Sequence, residues 1–235
     1  DNSADHMRQA LEDSLRRLGV ERIDLYYLHR HEVARPIEEV MQVLLRFRDE
    51  GKIGAVGLSE VSPATLQRAR AVGPVAAVQS EYSLWTRQVE LGMLQATGRG
   101  DAALVAFSAL GRGVLSGAIP DPATFGKTDL RQAMPRFSAE NWPHNLVRLR
   151  AFQDFARDIG HDPASLAIAW LLSRGPHVIA LPGSRSPDHM RANALGATLD
   201  LTPDQIARID QILPVGWAHG ARYGPAMSNG PQAYC

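Results

Sequence analysis

Five short apolar, β-prone runs, each ending in polar residues and each followed by a helical pattern, restrict what this chain can fold into. They are Ile23–Leu28 ending at His29, Ile53–Leu58 at Ser59 and Glu60, Val75–Val78 at Gln79, Ala103–Phe107 at Ser108, and Val178–Leu181 at Gly183 and Ser184. Strands that alternate with helices build parallel sheets. In a (β/α)8 barrel the reacting groups stand at the C-terminal ends of the strands, so polar residues there predict a site and the apolar residues below them a core. Eight units close such a barrel and this pattern supplies five. The expected fold is α/β of the TIM-barrel type, incomplete, with about five parallel strands and surrounding helices in a single domain over 1–235.

Helix signals fill the intervals. Met7, Leu11, Leu15 and Leu18 recur at helical spacing between Ser3, a capping residue, and Gly19, a terminator. Pro36–Arg48 is a second helix stopped by Gly51, and Pro63 suits the first turn of a third. Leu146–Ile159 and Pro163–Leu172 are consecutive helices before the last strand, and Pro203–Leu213, capped by Thr202, is a terminal one. The chain opens on a helix whose preceding strand is not in the sequence, so the expectation is the later part of a barrel. About 111–145 shows no periodicity and is rich in Gly, Pro and Asp, which predicts a functional loop; 214–235 reads as a tail.

Composition narrows the partners. Lys+Arg and Asp+Glu balance at 25 each, so no electrostatic footprint for nucleic acid or for a membrane surface is expected. No apolar run approaches the roughly 18 residues of a membrane span. The one cysteine, Cys235, cannot form an internal disulfide, which suits a reducing cytoplasm. A hydrophobic fraction of 45% is enough for a core, and small molecules are the expected partners.

The segments IDLYYLHRHE, EGKIGAVGLSE, QSEYSLW, FSALGRGVLSG, MPRFSAEN and LPGSRSPDHMRANALGA, in this order, resemble the aldo-keto reductase family. The resemblance runs from Asp1 to about Tyr223 and aligns the five strands with barrel strands four to eight, so it implies three absent leading units. It implies an NADPH-dependent enzyme that reduces aldehyde or ketone carbonyls. Reducing a carbonyl places negative charge on its oxygen, so the chemistry needs a proton donor and polar groups at that oxygen. The family uses a tyrosine donor tuned by a lysine and an aspartate, with a histidine that orients the carbonyl. Only the histidine has a counterpart here, His29. Tyr26 and Tyr27 lie within a strand, where aromatic packing is the usual role, and Tyr82 matches a position not used as the acid.

The same resemblance assigns the nucleotide. Ser59 and Gln79 match the residues that hold the nicotinamide carboxamide, and Phe107 matches the aromatic that stacks on its ring. Ser108, Leu110, Gly111 and Arg112 match the loop over the pyrophosphate, with Arg112 a candidate phosphate partner. Gly183, Ser184 and Arg185, at the start of a helix, match the site of the adenosine 2′-phosphate, which favours NADP (as NADPH) over NAD. His189 stands where arginine is common, Ala192 where glutamate is, and Asn193 is retained. Glu60 stands where the best-known members have asparagine. No GxGxxG turn supports a Rossmann reading.

Other readings remain. His29-x-His31 at a strand end resembles the paired ligands of metal-dependent barrel hydrolases, but the other strands end in Ser59, Gln79, Ser108 and Gly183, which do not complete a metal site. A chain without the tyrosine, lysine and aspartate is expected to be inactive. It could instead be a non-catalytic nucleotide-binding module, like the family's channel-associated subunits. Two unpaired sheet edges would favour oligomers or aggregation. Trp85, the 111–145 loop and Trp217–Tyr223 are the expected walls of a substrate pocket.

Overall fold

A computed structural model describes residues 1–100 and 102–232; Cys235 lies outside the described residues. Five strands form one parallel sheet in chain order: β1 (Ile23–Leu28), β2 (Ile53–Ser59), β3 (Ala77–Glu81), β4 (Ala103–Phe107) and β5 (Val178–Leu181). Chain order is what successive right-handed βα crossovers produce. The helices are α1 (Ala4–Leu18), α2 (Ile37–Asp49), α3 (Pro63–Val72), α4 (Met93–Gly98), α5 (Trp142–Asp158), α6 (Pro163–Leu172), α7 (Pro187–Gly196) and α8 (Pro203–Ile212).

The chain divides into two compact units, and β3 and β4 each contribute residues to both. The first comprises 1–80, 90–104 and the described end 230–232. Its register is fixed by apolar alternation. Leu28 pairs with Leu58 and Leu58 with Val78, and all three are buried. A slip of one residue would turn these side chains to the opposite face. One step before them, Tyr27 pairs with Gly57, whose missing side chain is a requirement: a Cβ there would lie 2.5 Å from the Tyr27 ring. α1 buries Met7, Leu11 and Leu15; Ser3 caps its start and Gly19 closes it in the left-handed conformation. α2 packs on α3 and on β2, burying Val40, Met41, Leu44 and Phe47.

The second unit, 81–89 and 105–229, is organised around α6. Pro163 to Leu171 are all buried, so this helix has no polar face and must be enclosed. α7 and α5 pack on it, and Tyr82 meets Trp170 edge to face at 5.8 Å. Asp162 caps it by accepting from the Ala164 and Ser165 amides at 2.8 and 3.3 Å.

Several boundaries differ from the sequence expectation for identifiable reasons. β3 runs Ala77–Glu81, not Val75–Val78, because the polar residues Ser80 and Glu81 are buried strand residues, which an apolar-run criterion cannot find. α5 begins at Trp142 and not Leu146, since Pro143 occupies its first turn. The segment 111–145, expected to be without regular structure, holds four short 3-10 turns before α5. α4 was not expected at all; at six residues it is too short for a periodic pattern. No helix among the described residues is long and apolar enough to cross a membrane.

Candidate nucleotide and carbonyl site

In the first unit the strand register brings three of the expected residues to one level. His29 follows Leu28, Ser59 follows Leu58 and pairs with Gln79, and Gln79 follows Val78. They occupy the same step beyond the last buried apolar row, at the C-terminal ends of β1, β2 and β3. His29 is exposed, Gln79 half-buried and Ser59 buried. Arg30 donates to the Ser59 hydroxyl at 3.0 Å.

His31, the second member of the histidine pair, does not face the same way chemically. It is buried; Nε2 contacts the Arg35 carbonyl oxygen at 2.8 Å and Nδ1 contacts the Gln232 side-chain amide at 2.8 Å. The carbonyl can only accept and the amide nitrogen only donate, so Nε2 carries the proton and Nδ1 accepts. Both ring nitrogens are thereby committed to structural bonds. Among the described residues no group of three or more metal-ligating side chains converges. Gln232 also donates its backbone N–H to the Glu60 carbonyl at 2.9 Å and accepts from the Ser62 amide at 2.8 Å. Sequence reasoning missed this strap, because nothing in the pattern around Gln232 signals a partner some 170 positions earlier.

The tyrosines beside His29 are half-buried within β1. Burial pushes the hydroxyls of Tyr26 and Tyr27 above their ordinary pKa. Lys52 precedes β2, at the opposite strand end, and is paired with Glu12.

The second unit gathers the phosphate-side residues. A cavity of about 570 Å³ is lined by Leu110, Gly113, Arg131, Gly183, Arg185, His189 and Asn193 among others. Arg185 and His189 are exposed, Ser184 bonds both the N–H and the carbonyl of Ser186, and α7 begins at Pro187. The Asn193 side-chain oxygen is buried and has no hydrogen-bond partner. A buried acceptor left unpaired is destabilising unless something donates to it. Phe107 is half-buried at the end of β4, where its carbonyl accepts from the Tyr82 amide at 3.3 Å.

Beyond β4 the chain turns tightly. Gly111 donates its N–H to Ser108 at 2.7 Å and Gly113 to Leu110 at 3.0 Å. Gly111 has φ +57 and a Cβ there would stand 2.9 Å from Trp85. Ser108 (φ 54) and Arg112 (φ 63) are also left-handed; with Glu60 (φ 55) they are the three non-glycine residues at positive φ among the described residues. All three lie just past strand ends that carry expected site residues, where strained backbone is often a functional constraint. Arg112 does not project free toward a phosphate. Its Nη2 donates to the Glu81 carboxylate and to the Tyr223 hydroxyl, both at 2.8 Å.

Arg131, which sequence reasoning did not single out, is the other arginine of the cavity. It forks onto Asp129, whose carboxyl it holds down to about 2. It sits in the segment that lacks periodicity, so only its cavity position identifies it. Trp85 and Trp217 form one aromatic cluster with Phe137, their centroids 5.1 and 5.9 Å from Trp85, and Trp217 donates to the Leu84 carbonyl at 2.7 Å.

A parallel sheet of five strands in chain order, with surrounding helices and polar residues at the strand ends, defines an α/β fold of the TIM-barrel type. More specifically, residues 1–214 match the model of the aldo/keto reductase family, and the chain belongs to that family. It is 36% identical over 231 residues to "Aldo-keto reductase yakc [NADP(+)]" of Schizosaccharomyces pombe, covering 97% of this chain and 68% of that protein. It is 36% identical over 223 residues to "Probable aldo-keto reductase 1" of Glycine max, covering 95% and 64%. The solved structure of the glycerol dehydrogenase AKR11B4 from Gluconobacter oxydans superposes with a TM-score of 0.83 at 35% identity, covering 91% of this chain and 65% of that one. This chain thus spans about two thirds of the length of the proteins it matches.

Proposed function

We propose that this chain carries the nucleotide-binding and carbonyl-orienting residues of an NADPH-dependent reductase of aldehydes or ketones. The observation that carries the reading is the second unit's cavity, in which Arg131, Arg185 and His189 stand with the unpartnered Asn193 oxygen. The exposed Arg185 guanidinium before α7 suits a phosphate ester, and the orphaned acceptor suits an exocyclic amine such as that of adenine. NADPH meets both requirements, whereas NADH has no 2′-phosphate for Arg185. In the first unit, Ser59 and Gln79 offer the mixed donor and acceptor set that a carboxamide needs. His29, exposed beside them, is the residue that would hydrogen-bond a carbonyl oxygen. Bound at these residues, the reduced nicotinamide would supply the hydride.

The residues of this chain support binding better than turnover. Tyr26 and Tyr27 are half-buried within β1, Tyr27 with its ring over Gly57, and Lys52 is bound to Glu12 at the other strand end. The chain is therefore expected to bind NADPH without sustained reduction of a broad aldehyde panel.

Titration of tryptophan fluorescence with NADPH and NADH tests this. NADPH should bind more tightly, and Arg185→Ala should weaken NADPH roughly tenfold while leaving NADH unchanged, as the loss of a charge-assisted phosphate contact requires. Equal affinities, or indifference to Arg185→Ala, would overturn the assignment. Turnover that depends on His29 would overturn the expected inactivity alone.

A further inference from the structure

Glu81, the last residue of β3, is 1% exposed, and groups from well-separated parts of the second unit converge on its carboxylate. One oxygen accepts from Arg112 at 2.8 Å and from the Tyr223 hydroxyl at 3.3 Å, with Arg222 at 3.9 Å. The other accepts from the Thr86 hydroxyl at 3.0 Å. Tyr223 accepts from Arg112 at 2.8 Å while donating to Glu81, so the three side chains close a ring of hydrogen bonds. Burying a carboxylate is costly unless such partners stay in place, so each member enforces the geometry of the others.

Arg112 belongs to the turn that bounds the cavity, between its lining residues Leu110 and Gly113. Its backbone is held at φ 63, and its carbonyl accepts from Arg131, another lining residue, at 3.3 Å. Backbone bonds from Gly111 to Ser108 and from Gly113 to Leu110 close the turn, and the guanidinium anchor adds a side-chain tie that holds Arg112 in that conformation. The C-terminal segment has separate moorings upstream. Trp217 bonds Leu84, His219 donates its N–H to Asn145 at 2.8 Å, and Gly220 accepts from Arg136 at 3.3 Å. The Tyr223 ring of bonds is therefore not what keeps this segment folded.

We propose that Glu81, Arg112 and Tyr223 form a latch that fixes the Gly111–Gly113 turn in its ligand-binding shape, making Tyr223 a positioning residue for the nucleotide although it does not line the cavity. The inference rests on the nucleotide reading above. Because coupling is reciprocal, a nucleotide that orders the turn must also tighten the Tyr223 end of the chain.

Hydrogen–deuterium exchange on the full chain, with and without NADPH, tests the latch on Tyr223→Phe and Arg112→Lys. Tyr223→Phe removes one hydroxyl and keeps the ring; Arg112→Lys keeps the charge but not the fork, so at least one variant should remain folded by near-UV circular dichroism. Without nucleotide, each variant should exchange faster at 111–115 as well as at 221–224. NADPH binding should weaken roughly five- to tenfold, the scale of one hydrogen bond to a charged group. In the unaltered chain NADPH should slow exchange at 221–224. Faster exchange confined to 221–224, with the turn and the affinity unchanged, would overturn the latch. Should the unaltered chain bind no NADPH, the nucleotide reading falls, while exchange in the nucleotide-free protein still decides whether turn and terminus are coupled.

Discussion

Residues at strand ends carried most of the legible signal. His29, Ser59 and Gln79 could be read because each interrupts an apolar run at a polar tip, and the register sets them at one level. Arg112 could be found but its role could not, since Tyr223 lies 111 positions away and no local pattern links them. Gly57 is a similar case: only the ring of Tyr27 across the strand pair explains it. Gly57→Ala should destabilise the chain by about 1–3 kcal/mol through overpacking, read as a lowered denaturant midpoint. Adding Tyr27→Leu should recover part of the loss. An unchanged midpoint in the single variant would mean that the ring moves freely.

Among the elements, long periodic helices were predictable and short or polar ones were not. α1, α2, α6 and α8 follow from spacing and start or stop signals to within a residue or so, and the start of α3 from Pro63, because such signals are local. The 3-10 turns between β4 and α5 are stabilised by pairings such as Asp129–Arg131, which no periodicity announces. The Asp129 carboxyl is lowered from 3.8 to about 2, mainly by its hydrogen bonds to Arg131. A depressed folded-state value contributes stability that is complete above the ordinary carboxylate range and is lost as the pH falls through about 2. Proteolysis by pepsin should accordingly nick this loop faster at pH 2 than at pH 4 after correction for the enzyme's own profile, and Asp129→Asn should remove the difference.

For the molecule as a whole, the parallel sheet in chain order was legible because βα alternation admits few topologies. The division into two compact units was not, because its boundary falls inside β3 and β4, where the sequence shows no break. β1 and β5 end the sheet, and Leu25, Ile179 and Leu181 on them are 36%, 51% and 48% exposed. Terminal strands with apolar exposure promote edge pairing. We therefore expect this chain on its own to self-associate. Sedimentation velocity over a range of concentrations should show a weight-average mass rising above that of one chain, and a constant single-chain value would count against the expectation.

The left-handed backbones of Glu60, Ser108 and Arg112 have an implication for anyone trying to harden this molecule against heat. Each such conformation costs on the order of 1–3 kcal/mol, and Ser108, unlike Arg112, has no part in the ring of bonds at Glu81, so glycine at 108 would be among the first changes chosen by a selection that rewards melting temperature alone. The variant that survived would be sturdier and poorer at capturing a ligand, with the loss written at the end of β4.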